Sequence, residues 1–237
     1  VYGLAADATN GAAVERIFKA KGRPQDNPLI VHISSYEQLE RLVSHIPEHA
    51  KRLMETFWPG PLTVILPKSN LIPDQVSAGL PTVAVRLPSH PVARAVIQEA
   101  GVPLAAPSAN VSGSPSPTAA AHVLHDLDGK IDAIIDGGPC TIGLESTVIT
   151  LAEETPVLLR PGAVTLEQLQ QVLGTVKMAD AVLHQLKQGS VAASPGMKYK
   201  HYAPDADLAI VEGDIDKVVN KINALTKEKE ALGYRVG

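Results

Sequence analysis

The sequence predicts an α/β fold in which an open, twisted, mixed β-sheet is flanked by helices. Short apolar runs alternate with helical segments from the start of the chain to about residue 174. Several of these runs are continuously apolar, which is typical of strands covered on both faces. The helical segments begin and end at residues that favour helix caps, and the alternation of the two patterns indicates a layered α/β domain.

Short apolar runs bounded by turn-forming residues are predicted to be the strands of the sheet. These runs are Leu29–Ile33, Leu62–Leu66, Thr82–Leu87, Leu104–Ala106, Ala133–Ile135, Thr147–Leu151 and Val157–Leu159. The strand order does not follow from the sequence.

Capping residues predict where the helices begin and end. A first helix with an apolar stripe is expected to end at Gly22. Capping boxes are expected where Ser35 is followed by Gln38 and where Thr165 is followed by Gln168.

Further helices are predicted by serine, proline and glycine positions. Ser116 followed by Pro117 is expected to begin a helix that continues over Ala119–Leu127. Gly174 is expected to end the helix that begins at Thr165, and a short helix is expected over Ala179–Lys187.

The composition argues against nucleic-acid binding. The chain has 237 residues, of which 45% are hydrophobic and 19% charged, as in ordinary globular proteins. A net charge of −4 does not suit non-specific nucleic-acid binding, and the few aromatic residues do not suit base stacking. We therefore expect no tight nucleic-acid binding.

Cysteine content and hydropathy bear on the compartment. The single cysteine, Cys140, excludes an internal disulfide framework and a multi-cysteine metal site. No apolar run approaches the roughly 18 residues that a membrane span needs, so we expect a cytoplasmic protein with no membrane segment. Because the sequence opens with Val1 rather than Met, residues are expected to be missing upstream, where a targeting peptide would lie.

The character of the sequence changes after Gly174, which ends the first predicted domain, 1–174. Residues 175–206 are predicted to be an ordered linker, because they mix glycine and proline with apolar and aromatic side chains. A strand over Leu208–Val211, a helix over Asp214–Leu232 and a strand over Tyr234–Val236 are expected next. Since about 30 residues cannot bury a core alone, residues 207–237 are interpreted as the truncated start of a second α/β domain.

Positive charge and glycine are concentrated at the end of the first helix, in Lys21-Gly22-Arg23. Lysine is a strong point charge for phosphate, arginine donates to phosphate oxygens in pairs, and glycine lets the backbone approach a ligand closely. The segment is therefore a candidate phosphate site. The alternative is a solvated helix end whose cations complement the helix dipole.

Small polar residues follow the predicted strand at 104–106, in Ser108-Ala109-Asn110. Ligands of α/β sheets gather at strand ends, so these hydroxyl and amide groups are candidate ligand contacts. The alternative is a turn in which the same side chains bond to nearby backbone groups.

Two arginines end predicted core strands, Arg86 in one and Arg160 in another. Burying an unpaired charge is costly, so each arginine needs a partner, and either a carboxylate such as Glu145 or an anionic ligand would serve. His32, inside a third apolar run, is either a core histidine or a ligand contact.

Several segments occur in the order found in a known family. Lys21-Gly22-Arg23 and Ser108-Ala109-Asn110 resemble the Lys-x-Arg and Ser-x-Asn motifs of YrdC-like threonylcarbamoyl-AMP synthases. Other blocks of that family are similar to Phe57–Thr63, Thr82–Pro88, Ser146–Val148 and Leu159–Gly162. The resemblance runs from the start of the chain to about residue 174, and it is specific as an ensemble although each piece is weak.

The resemblance implies a YrdC-like sheet, and the long two-domain form in which the second domain is Rossmann-like. It implies a nucleotidyltransferase that makes threonylcarbamoyl-AMP and pyrophosphate from L-threonine, bicarbonate and ATP. The product would pass to a transferase that forms t6A at adenosine 37 of tRNA. The family's threonine-containing segment before Tyr2 is absent from this sequence, and we attribute the gap to missing residues.

The resemblance also implies roles for individual residues. The catalytic residues would be Lys21 and Arg23, which hold the phosphates of ATP. Further nucleotide contacts would come from Asn27, Thr82, Ser108, Asn110, Ser116, Arg160 and Tyr202. Threonine would be bound by Tyr2, His32, Arg86, Ala106 and Ser146. Mg²⁺ would bridge the triphosphate oxygens, and no metal site made of protein side chains is expected.

Three questions stay open at this point. The linker segment Lys198–Tyr202 would suit either a lid over a labile intermediate or a strap packed on the domain surface. A double-stranded RNA-binding module is a second possible function, which the acidic net charge disfavours. An O-carbamoyltransferase-type YrdC-like module is a third, and its additional zinc-finger and acylphosphatase-like parts have no counterpart in this sequence.

Overall fold

An eight-stranded mixed sheet organises the first part of the chain in the computed structural model, which describes residues 1–183 and 207–236. The strands are β1 Ala6–Asp7, β2 Ile30–His32, β3 Leu62–Pro67, β4 Thr82–Arg86, β5 Leu104–Ala105, β6 Thr147–Thr150, β7 Val157–Arg160 and β8 Lys177–Met178. They lie in the order β1-β5-β2-β4-β3-β6-β7-β8. The pairs β2–β4, β3–β6 and β7–β8 are parallel and the other pairs are antiparallel, which confirms the predicted mixed sheet.

Helices surround this sheet. They are α1 Gly11–Lys21, α2 Tyr36–Leu42, α3 Glu48–Phe57, α4 Asp74–Ser77, α5 Pro91–Ala100, α6 Ala120–Leu127, α7 Leu166–Leu173 and α8 Asp180–Leu183. The largest core cluster joins the apolar stripes of α1, α2, α3 and α7 to one face of the sheet. A smaller cluster lies on the opposite face, where β2, β3, β4, β6 and β7 each contribute a residue.

One predicted strand is wrong. Ala133–Ile135 has no regular secondary structure, and the side chain of Ile135 is 56% exposed. Three apolar residues between aspartates imitate a short strand, but no neighbouring strand pairs with them. The other predicted runs coincide with β2 to β7, whereas β1 and β8 are too short and too polar for the apolar pattern to indicate them.

The capping predictions have mixed outcomes. Thr165 and Gln168 form the predicted capping box of α7, and Gly174 ends that helix. Ser35 is the N-cap of α2 as predicted, but its side chain makes no capping bond. The reciprocal bond of the capping box is also missing, because the Gln38 side chain accepts from the backbone amide of Ser34 at 2.8 Å rather than from that of Ser35.

The predicted beginning of α6 is also wrong. The N-cap of α6 is Ala119, three positions after the predicted Ser116. The Ser116 hydroxyl is engaged elsewhere, since it donates to the carboxylate of Glu145.

The described residues fall into two compact units, residues 1–183 and residues 207–236. The second unit contains the helix predicted over Asp214–Leu232, which is α9, Ile215–Ala231, with Asp214 as its N-cap, and none of the residues of α9 is buried. The strands predicted over Leu208–Val211 and Tyr234–Val236 have no regular secondary structure. Isolated strands are not stable without partners, and the described residues of this unit offer none.

Predictions that concern residues 184–206 fall outside the described residues. They include the second half of the helix expected over Ala179–Lys187 and most of the linker, and the domain boundaries stay a prediction. Among the described helices, none combines the length and the apolar character that crossing a membrane requires.

The capping box predicts a measurable stability difference. Thr165→Ala should lower the free energy of unfolding by about 1 kcal/mol. The backbone amide of Gln168 loses its acceptor, the Thr165 hydroxyl, and the reciprocal bond from the residue 165 amide to the Gln168 side chain loses its support. Ser35→Ala is the matched control, since it changes an N-cap that makes no capping bond. Chemical denaturation measures both, and equal losses in the two variants would contradict the assignment.

Candidate active site

The sheet brings several polar side chains to one edge. His32 and Arg86 are paired residues at the ends of the parallel strands β2 and β4. Because β3 is antiparallel to β4 and parallel to β6, the beginnings of β3 and β6 lie at this same edge. Arg160 ends β7, which is antiparallel to β6, and so reaches the edge too. Strand direction therefore assembles residues that are distant in sequence.

Arg86 is held by a backbone carbonyl. Its Nε donates to the carbonyl oxygen of Gly60 at 2.9 Å, and its terminal nitrogens have no hydrogen-bond partner among the described residues. Burial, together with the positive charge of Arg160, lowers the pKa of Arg86 to about 10. The guanidinium therefore stays charged at neutral pH and directs its terminal donors at the cavity that it lines.

Gly60 is required at its position by a close approach. A Cβ atom there would lie 2.2 Å from the carbonyl oxygen of Phe57, far inside van der Waals contact. The Gly60 amide donates to the carbonyl of Leu87 at 2.8 Å, just beyond the end of β4. The loop between α3 and β3 is thus fixed against β4, and its carbonyl is available to Arg86.

Arg160 and Ser146 form a second fixed group. Arg160 donates from Nε and Nη2 to the carbonyl oxygen of Ser146, at 3.0 and 2.9 Å. Its Nη2 also lies 3.2 Å from the hydroxyl of Ser146. Both residues line the cavity, and Ser146 is 2% exposed.

His32 lies beside Arg86 on the floor of the cavity. Burial is the main cause that lowers the pKa of His32 to about 3, and the positive charge of Arg86 lowers it further. The imidazole is therefore neutral at physiological pH, so it can form hydrogen bonds without adding positive charge.

A further part of the cavity lining lies near the end of α1. Arg23 donates from Nη2 to the carbonyl of Pro28 at 3.2 Å and lies 3.4 Å from that of Asn27, just before β2. Ser108 and Asn110 also line the cavity. The cavity therefore has one cation beside the beginning of β2 and another, Arg86, at the end of β4.

Lys21 does not line the cavity, but it contacts the segment Ser108–Asn110, which does. Its side chain is 2% exposed, and its ammonium donates to the backbone carbonyls of Ser108 and Asn110. Burial, and then the charge of Arg23, lowers the pKa of Lys21 to about 7. In return the backbone carbonyl of Lys21 accepts from the amide of Ser112 at 2.9 Å, so helix and loop hold each other.

Asn110 is fixed with one atom unused. Its amide nitrogen donates to the carbonyls of Val111 and Ser114, both at 2.8 Å. Its side-chain oxygen is buried and has no hydrogen-bond partner among the described residues. A buried acceptor without a donor is costly, so a ligand donor at this place would be favoured.

Tyr2 joins the beginning of the chain to the loop after α6. Its hydroxyl accepts from the amide of Gly137 at 3.1 Å and lies 2.7 Å from the carbonyl of Gly138. The irregular segment that was wrongly predicted as a strand therefore forms part of the cavity wall, where Ile134 and Ile135 lie.

The cavity has a volume of about 770 Å³ and collects most of the predicted site residues. Its lining includes Tyr2, Arg23, His32, Arg86, Ala106, Ser108, Asn110, Ser146 and Arg160. The predicted residues outside the lining are Lys21, Asn27, Thr82 and Ser116. Tyr202, with the rest of the predicted lid, lies outside the described residues.

No role for the segment that holds Arg86 is predicted from the sequence. Gly60 and Thr63 belong to a block that resembles the family pattern, but nothing in the residue types indicates a carbonyl aimed at an arginine. Glu145, the structural carboxylate considered for the arginines, makes no ion pair with Arg86 in the described part of the chain, and its carboxylate accepts from Ser116. In residues 1–183 and 207–236, no three His, Cys, Asp or Glu side chains are grouped so that they could hold a metal ion.

Comparison with family profiles gives two matches. Residues 1–162 match the Sua5–YciO–YrdC profile, described as telomere recombination, and residues 164–237 match the profile described as threonylcarbamoyl-AMP synthase, C-terminal domain.

Similar proteins are named threonylcarbamoyl-AMP synthases. A threonylcarbamoyl-AMP synthase of Pyrococcus abyssi is 54% identical over 100% of this chain and 69% of its own length. One of Bacillus subtilis is also 54% identical, over 100% of this chain and 67% of its own length. The chain thus spans about two thirds of the length of these relatives.

Solved structures agree with the fold. The crystal structure of P. abyssi Sua5 complexed with L-threonine superposes with a TM-score of 0.93 at 54% identity, over 100% of this chain and 69% of that one. Escherichia coli YciO gives a TM-score of 0.62 at 27% identity, over 68% of this chain and 79% of that one. Full-length HypF shares the fold alone, with a TM-score of 0.57 at 20% identity over 67% of this chain and 25% of that one.

The neutral His32 predicts how stability depends on pH. The pKa of His32 is about 3 in the folded protein, against about 6.5 in an unfolded chain. Between these values the unfolded state binds more protons, so acidification should lower the free energy of unfolding, by at most about 1.4 kcal/mol per pH unit. His32→Gln removes this contribution. Denaturation between about pH 6 and pH 4 should therefore give a flatter slope for the variant, and identical slopes would contradict the assignment.

Proposed function

The chain belongs to the family of Sua5, YciO and YrdC proteins, and we propose that it makes threonylcarbamoyl-AMP and pyrophosphate from L-threonine, bicarbonate and ATP. The observation that supports this most directly is a single cavity lined by Arg23, Arg86 and Arg160. All three reactants carry or develop negative charge, and such a cavity can hold them side by side.

We assign L-threonine to the end at β2 and β4. The terminal nitrogens of Arg86 would clamp its carboxylate, since a guanidinium matches a carboxylate with two parallel hydrogen bonds. Neutral His32 and the hydroxyl of Ser146 would complete the pocket, with Tyr2 and Ala106 as walls. P. abyssi Sua5 has been crystallised with L-threonine, which supports the same ligand here.

We assign ATP to the end at α1. Arg23 would hold phosphates, and Ser108, Asn110 and Arg160 would contact the nucleotide. In its charged form Lys21 has three donor protons, of which two go to backbone carbonyls, so the third would be available to a phosphate, whose negative charge would favour that form.

The remaining proposed nucleotide contacts lie outside the cavity lining or beyond the described residues. Asn27, Thr82 and Ser116 would act by supporting the lining, and Tyr202 would approach from the linker as a lid. These roles rest on the family resemblance.

The reaction needs no protein nucleophile. The neutral amine of threonine adds to CO₂ and loses a proton to solvent, or adds to bicarbonate with loss of water, and the resulting N-carboxylate attacks the α-phosphorus of ATP. A new phosphorus–oxygen bond forms, the bond between the α-phosphorus and the bridging oxygen breaks, and pyrophosphate leaves with the bonding electrons. The chain would contribute by holding the reactants together and by stabilising negative charge. Both effects lower the activation free energy substantially when water is excluded from the cavity.

Mg²⁺ is proposed as a companion of the triphosphate. The described side chains offer no carboxylate cluster that would hold it, so its ligands would come from the phosphate oxygens of ATP. We further propose that the product passes to a transferase that modifies tRNA, and that the chain acts in the cytoplasm.

The decisive assay measures pyrophosphate release by the purified chain with ATP, bicarbonate and Mg²⁺, with and without L-threonine. Release that requires threonine, together with threonylcarbamoyl-AMP detected by mass spectrometry, is the expected result. ATP turnover that ignores threonine, or salt-dependent RNA retention without any turnover, would overturn the proposal.

Arg86→Ala should lower kcat/KM for threonine by about 10- to 100-fold or more, because a charge-assisted pair contributes about 1.5–3 kcal/mol. The KM for ATP should change much less. Arg94→Ala is the matched control, since Arg94 is an exposed arginine of α5 outside the cavity lining. If Arg86→Ala and Arg94→Ala gave the same threonine kinetics, the carboxylate clamp would be wrong.

A further inference from the structure

Thr63 is buried directly beneath the cavity. It lies on β3 and is 0% exposed, and its side chain is on the same face of the strand as that of Ile65, which belongs to the smaller core cluster. Its hydroxyl oxygen is 2.7 Å from the hydroxyl oxygen of Ser146. It has no other hydrogen-bond partner among the described residues.

Counting protons fixes the direction of this hydrogen bond. A buried hydroxyl that does not donate is costly, and among the described residues the only acceptor that contacts the Thr63 hydroxyl is the Ser146 oxygen. The Nη2 group of Arg160, 3.2 Å from the same oxygen, can only donate. The Ser146 hydroxyl oxygen therefore accepts twice, and its own proton is left to point into the cavity.

The reverse arrangement is disfavoured. If Ser146 donated to Thr63, the proton of Thr63 would have no acceptor among the described residues, and Ser146 would have no proton for a ligand. The β-branched side chain of threonine is stiff at χ1, so the hydroxyl of Thr63 stays in place on the strand.

We propose that Thr63 is a positioning residue, which sets the Ser146 hydroxyl as a donor toward a negatively charged oxygen of the substrate. The role depends on the function proposed above, where Ser146 contacts threonine or its N-carboxylate. Thr63 does not line the cavity, so it acts only through Ser146.

The variant Thr63→Val keeps the shape of the side chain and removes the hydroxyl. We expect the KM for threonine to rise about 10-fold, as when one hydrogen bond to a charged group is lost, with little change in the KM for ATP. Thr63→Ser keeps a hydroxyl and should restore most of the affinity. Thr150→Val is the matched control, because Thr150 is a buried threonine of the neighbouring β6 whose hydroxyl, among the described residues, contacts only the backbone amide of Ala152.

A double-mutant cycle separates positioning from a structural effect. In a Ser146→Ala background, Thr63→Val should cause no further rise in the KM for threonine, because the group through which it acts is gone. Additive losses, an unchanged KM in Thr63→Val, or an equal loss in Thr150→Val would each overturn the proposal. If Thr63→Val does not fold, Thr63→Ala enters the same cycle. Absence of threonine-dependent pyrophosphate release in the unmodified chain would instead refute the function itself.

Discussion

Backbone carbonyl oxygens hold the cations around the cavity, and the rest of the site depends on this choice of acceptor. Arg86 donates to Gly60, and Lys21 donates to Ser108 and Asn110. A carbonyl is a dipole without net charge, so it fixes the position of a cation and leaves its charge for a ligand. A carboxylate in the same place would neutralise the cation and repel an anionic substrate.

This arrangement carries a cost that the sheet must offset. Cations held close together repel one another, and the lowered pKa values of Lys21 and Arg86 express that repulsion together with burial. The neutral state of His32 follows mainly from its burial, and the positive charge of Arg86 favours that state further. An anionic ligand would relieve the repulsion, so the same repulsion between cations favours the binding of an anion.

Much of the fold follows from local patterns, and the site follows from them only in part. Apolar runs locate β2 to β7, and charges at strand ends single out Arg86 and Arg160 as residues that need partners. The pattern fails at Ala133–Ile135, because three apolar residues match a strand equally well when no neighbour exists to pair with them. Strand order is a non-local property, so the sequence could not place Arg86 next to Arg160, nor show that Lys21 turns inward to the backbone.

Because main-chain atoms position the cations, the chemistry of the site is also encoded at residues that touch no ligand. Gly60 is needed so that its carbonyl can approach Arg86, and a Cβ at Gly162 would lie 2.5 Å from the amide of Thr147. Both glycines keep a loop close enough for a carbonyl to meet a guanidinium. Substitutions there would displace the arginines without altering them, so the charged residues alone do not determine the geometry of the site.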